Sequence, residues 1–195
     1  MTQHIYPILK LKAKRERSIL LKHPWIFSGG LDNKPKAEEG EIVEVRSHAN
    51  EILGYGFYSE KSQISCRMFD WQNSPASFEE VGYWAEKIKN ALVLRKAVIP
   101  PHTTTYRLLH AEGDFLPGII ADVYGNVVVV QILVKGIENR KELLIEAFKE
   151  NGFNNVYLKT KANAQNIEKI QTSAGWLAGA GENSVEVIEH NLKFN

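Results

Sequence analysis

The chain has 195 residues, 44% of them hydrophobic and 24% charged, with a formal net charge of +1. Those proportions are those of a soluble globular protein and exclude a disordered chain, a fibre and a coiled coil. The longest apolar run, around residues 127–130, is too short to span a bilayer, the N-terminus shows no signal-peptide core, and the single cysteine, Cys66, can form neither an internal disulfide nor a cysteine-based zinc site, so the cytoplasm is the expected compartment.

The charge is uneven. Lys10, Lys12, Lys14, Arg15, Arg17, Lys22, Lys34 and Lys36 face only Glu16 and Asp32 within residues 1–36, which leaves that segment at +6. Residues 37–75 are net acidic at −4. A local basic patch on a nearly neutral chain suits phosphate contact at one face. A solvated surface with scattered lysines is the alternative.

The first 70 residues read as β-rich. Residues 9–12 alternate as a strand, and residues 15–22 hold one or two helical turns. Strands follow over 41–46, 52–59 and 63–69, each alternating apolar positions between glycine or polar residues. Gly54 and Gly56 lie inside the second, where glycine marks a bulge or a close backbone approach. Short strands at this spacing suggest a small barrel. Residues 70–77 form the candidate linker, with Ser74 or Ser77 able to cap the next helix. Phe78, Val81, Trp84, Ala85, Ile88, Ala91 and Leu92 recur at helical spacing, and Pro100-Pro101 must end that helix. Strands are then predicted over 106–110, 119–124 and 127–133, with Gly125-Asn126 turning the last two into a hairpin. An amphipathic helix is predicted over 137–151, stopped by Gly152, and strands over 156–159 and 184–188.

Two strings stand out. His23-Pro24-Trp25-Ile26-Phe27-Ser28-Gly29-Gly30 follows the basic turn. Lys22, His23 and the glycine backbone can meet a phosphate or a base, whereas Trp25 and Phe27 are expected in the barrel core. Glu112-Gly113-Asp114-Phe115-Leu116-Pro117-Gly118 is the second. Its carboxylates near His110 can do acid–base work or hold a metal. They equally spell a tight connection in which Asp114 serves turn amides. Asp122 is expected to pair with Arg107. Gly175, Gly179 and Gly181 invite a cofactor-loop reading, but a strand-like pattern follows instead of a helix, so that reading is rejected. Cys66, in an alternating strand beside Arg67, is expected to be inert packing.

Together these strings resemble the bacterial S-adenosylmethionine-dependent methyltransferases of large-subunit ribosomal RNA, the cytosine-carbon-5 enzymes with a leading PUA domain. The resemblance rests on residues 23–28, 40–43, 54–56 and 62–67 in the first region. In the second it rests on Tyr106-Arg107-Leu108-Leu109-His110, on Glu112-Gly113-Asp114 and on residues 116–125. It implies an α+β fold: a PUA-like β pseudo-barrel over residues 1–72 and a small mixed α/β domain over residues 78–195. In that family a Rossmann-like domain holding the cofactor and a cysteine nucleophile follows a strand like residues 185–194. Cys66 does not match that nucleophile, so a truncated chain with no cofactor and no catalytic residue of its own is expected. S-adenosylmethionine would belong to the full-length protein.

The resemblance implies ribosomal RNA as partner, no membrane, and admits a homodimer. Candidate RNA contacts are Lys14, Arg15, Arg17, Lys22, His23, Ser28 and Gly29. Arg107, Glu112, Asp114 and Asp122 are candidates for lining the cleft or for structural roles. Two alternatives stand beside this: an interaction module without catalysis, and a hydrolase built from His110, Glu112, Asp114 and Asp122.

Overall fold

The computed structural model describes residues 6–72, 77–160, 170–181 and 184–194. The first sheet contains β1 (Ile8–Lys10), β2 (Trp25–Phe27), β3 (Ile42–Arg46), β4 (Ile52–Tyr58) and β5 (Ile64–Asp70) in the order β1-β3-β4-β5-β2. The helical turn α1 (Arg17–Leu20) joins its two edges. The β3–β4–β5 meander is antiparallel, whereas β1 lies parallel to β3. The sheet curls around Leu9, Leu11, Ile19, Ile26, Val43, Val45, Cys66 and Met68. Gly54 lies at φ +139°, pressed against the Asp70 carbonyl, and Gly56 lies against Cys66 and Arg67, so both expected close approaches exist.

The meander is buried on both faces. Ile42, Tyr55, Phe57 and Phe69 point away from the barrel interior into a second cluster with Phe78, Trp84, Ile88, Leu116 and Phe148. This cluster joins the sheet to α2 (Val81–Val98) and to a second sheet, ordered β10-β9-β8-β7-β6. Its strands are β6 (Thr105–His110), β7 (Ile119–Tyr124), β8 (Val127–Ile132), β9 (Asn155–Leu158) and β10 (Gly175–Ala178). The Gly125-Asn126 hairpin forms as predicted, and β9 returns parallel to β8 after α3 (Lys135–Glu138) and α4 (Lys141–Glu150). Side chains alternate along β8. Val128 and Val130 enter the shared core, while Val129 and Gln131 line a hollow on the opposite face.

Several boundaries differ from the sequence-based expectation. The long helix starts at Val81 behind Glu80, with no side-chain cap; Ser77 offers only its carbonyl to the Glu80 amide, and Ser74 lies outside the described residues. Phe78 precedes the helix as a buried plug whose carbonyl accepts from Trp84 Nε1 at 2.8 Å. The helix expected over 137–151 is two helices. Arg140 leaves helical geometry at φ −119°, and its guanidinium donates to the carbonyls of Gly40 and Gly136 and pairs with Glu79. Residues 184–194 form a hairpin instead of one strand, β11 (Val187–Glu189) with β12 (Leu192–Phe194), turned at His190 and Asn191, both at positive φ.

Candidate nucleic-acid interface

The basic segment wraps one rim of the first sheet. Lys12, Lys14, Arg15, Arg17, Lys22, His23, Ser28 and Gly29 are all exposed. The chain pivots at Lys14 and at Lys22, both at φ 65°. At Lys22 the reason is a Schellman cap on α1. The His23 amide donates to the Ser18 carbonyl at 2.9 Å and the Lys22 amide to the Ile19 carbonyl at 2.9 Å. Glycine is the usual residue at that left-handed position, yet a lysine occupies it. Its ammonium sits 5.5 Å from the centre of the Trp71 ring, which fixes the charge over an aromatic face.

Strand β2 corrects the expectation for Trp25 and Phe27. As an edge strand it buries only Ile26 at 4% exposure; Trp25 and Phe27 point outward at 37% and 50%. The reason is the two-residue period, since pairing Ile26 with Cys66 at the barrel core forces both neighbours to the other side. His23, Trp25 and Phe27 then form a ladder of edge-to-face rings at 6.1 and 6.4 Å. The Trp25 amide donates to His23 Nδ1 at 3.2 Å, and Trp25 Nε1 donates to Glu112 Oε1 at 2.9 Å. Glu112 thereby positions Trp25 across the junction between the sheets.

Beside the ladder is a cleft of about 240 Å³ lined by Arg15, Ser18, Trp25, Phe27, Gly29 and Gly30. Gly29 and Gly30 lie in a tight turn whose floor is held by Lys12, which donates to the Gly29 carbonyl at 3.1 Å. A Cβ at either glycine would meet nothing within 4 Å. Neither packing nor positive φ explains those glycines, and their bare backbone opens to the cleft.

The seven candidate contacts are all exposed, and Trp25, Phe27 and Lys12, which the sequence pattern did not single out for this surface, are exposed as well. The signal was the Trp-Ile-Phe alternation read with the opposite phase.

The second candidate group does not converge. Asp114 accepts from Arg95 at 2.6 Å and from the His110 amide at 2.6 Å, so it locks a connection. Asp122 takes a bidentate pair from Arg107 at 2.8 and 3.1 Å, and Arg107 also reaches His110 Nδ1 at 3.3 Å. Glu112 points to Trp25. These carboxylates are spent on three separate partners, and no group of three metal-ligating side chains occurs among the described residues. The hydrolase alternative fails on that geometry.

Gly175–Ala178 is an antiparallel strand that opens into no helix among the described residues, and burial pushes the Cys66 thiol up. No helix among the described residues is long and apolar enough to cross a membrane.

Comparison with known proteins fits this picture. Residues 9–71 match the family described as PUA-like domain. Ribosomal RNA large subunit methyltransferase I of Aliivibrio fischeri is 36% identical over 194 residues, covering 98% of this chain and 48% of that protein. The protein of the same name from Photobacterium profundum is also 36% identical, covering 100% and 49%. Among solved structures, a putative SAM-dependent methyltransferase from Streptococcus mutans superposes with a TM-score of 0.76 at 18% identity, over 96% of this chain and 47% of that one. The chain spans about half the length of the curated relatives it matches. Residues 9–71 are thus similar to a PUA-like domain, and nearly the whole chain is similar to about half of ribosomal RNA large subunit methyltransferase I.

Proposed function

We propose that this chain is the RNA-gripping portion of an S-adenosylmethionine-dependent methyltransferase that acts in the cytoplasm on large-subunit ribosomal RNA, with cytosine carbon 5 as the methylated position. The carrying observation is the face on the PUA-like domain, where exposed rings, a bare glycine turn and exposed cations adjoin. The cations Lys14, Arg15, Arg17 and Lys22 position phosphates and set a salt-dependent affinity. Trp25 and Phe27 offer stacking surfaces to unpaired bases. Gly29 lets a backbone approach. The chain matches about half the length of each relative, and methyl transfer is proposed as the activity of the whole protein. A base must leave its stack before such chemistry, and this portion holds the RNA meanwhile.

The test is the affinity for a folded ribosomal RNA fragment at two salt concentrations. Replacing Lys14, Arg15, Arg17 and Lys22 together with glutamate should weaken binding more than tenfold and flatten its salt slope. Unchanged affinity would overturn the assignment. A salt-insensitive or absent signal would favour protein docking on Leu20 and Leu21, which are 62% and 73% exposed.

A further inference from the structure

Among the described residues, the second sheet carries helices on one face only. On the other lies a hollow of about 580 Å³ lined by Asp122, Tyr124, Gln131, Tyr157, Lys159 and Trp176. Tyr157 and Trp176 meet edge to face at 5.3 Å, and Trp176 and Tyr124 remain 36% and 38% exposed. Gly181 packs against the Trp176 ring so closely that a Cβ there would stand 2.7 Å from it, which fixes the ring. Gln131, on β8, is only 8% exposed, yet its side-chain carbonyl oxygen has no hydrogen-bond partner. A buried acceptor without a donor is rare in a folded protein and calls for an explanation. Asp122 does not compete for a ligand, because Arg107 holds both its oxygens. Lys159 is exposed, and no carboxylate among the described residues pairs with it.

We propose that this hollow binds an unpaired nucleobase of an RNA strand. The base stacks on the Trp176 ring, the Gln131 side chain turns its covered oxygen outward to accept an N–H from it, and Lys159 meets the adjoining phosphate. Aromatic side chains on the open face of a sheet, with its helices behind, are a general means of holding splayed single-stranded bases. An apolar partner would leave the Gln131 oxygen orphaned, whereas every base supplies an N–H on one of its edges. The site is separate from the β2 face and rests on the same RNA-binding reading.

The four tryptophans make the two sites separable. Trp25 and Trp71 report the basic face, Trp176 reports the hollow, and Trp84 is fully buried and serves as control. Titration of the full chain with a mixed-sequence RNA tetranucleotide, followed by the indole 15N–1H signals, should shift Trp176 and leave Trp84 still. In Gln131→Leu the midpoint of the Trp176 shift should move to about tenfold higher RNA concentration, with the Trp25 response unchanged. Movement of Trp25 alone would overturn this proposal and leave the basic face standing. Movement of Trp176 alone would uphold it and count against the basic face. An unchanged midpoint in Gln131→Leu would also overturn it. A nucleoside monophosphate that moves Trp176 at the same concentration as the tetranucleotide would do so too, since the site would then take a free nucleotide instead of a strand.

Discussion

Glycine plays opposite parts at two places in this molecule. At the junction between the sheets, Gly40 and Gly136 let two backbones meet: a Cβ on Gly40 would stand 2.7 Å from the Gly136 nitrogen, and one on Gly136 would strike the Phe57 ring. On the basic face, Gly29 and Gly30 border open space. The junction needs its glycines for the fold; the face keeps its glycines although the fold does not ask for them. The difference separates residues held by packing from residues left free for a ligand.

The largest effect should come from breaking the junction. Gly136→Val forces an overpacked contact with Phe57 and should cost about 3 kcal/mol in chemical denaturation. Because Tyr55, Phe57 and Phe69 share one cluster with Trp84 and Phe148, the loss should appear in a single transition followed from either half. Two separate transitions would show that the junction couples less than its packing implies.

Next to it, Glu138 tests the polar side of the same region. Burial works against its charge, but hydrogen bonds from Lys135, Thr172 and Gln171 overcome this and hold its carboxyl down to about 2. A depressed folded value means that the stabilisation is complete above the unfolded value of about 4.3 and is lost as pH falls from about 5 towards 2. Glu138→Gln should cost about 2 kcal/mol at neutral pH and flatten the acid limb of a stability–pH curve.

On the open face the signs reverse. Lys22→Gly relieves a left-handed lysine and should stabilise the chain by about 1 kcal/mol, yet weaken RNA binding several-fold. Stability and affinity falling together would mean that Lys22 is structural. The smallest change is expected for Gly29→Ala and Gly30→Ala, whose stability should stay within about 0.5 kcal/mol of the parent while RNA affinity drops. Unaltered affinity would remove the glycines from the interface.

The fold was legible where the period was local. The strands of the meander, the Gly125 hairpin, the Arg107–Asp122 pair and the two close glycines of β4 all follow from neighbours in sequence. The break between α3 and α4 was not, because the residue that causes it, Arg140, answers to Gly40 and Glu79, far away in the chain. Trp25 and Phe27 were misplaced for a similar reason. Their phase is fixed by Cys66, and three residues carry too few alternations to show which side is inside. The cations were legible from charge alone; the buried, unpartnered oxygen of Gln131 could be recognised only after packing was known.

The strand order of the first sheet bears on how the protein acquires its shape. Strands β3, β4 and β5 are sequence neighbours and can zip by short loops. Strand β2 must wait for β5, with Trp25 paired to Arg67 and Ile26 to Cys66, and β1 must cross over to lie parallel with β3. Closing such distant pairings carries the larger entropic barrier and is slow. The aromatic ladder therefore sits on an edge whose closure is expected to follow the meander that supports it.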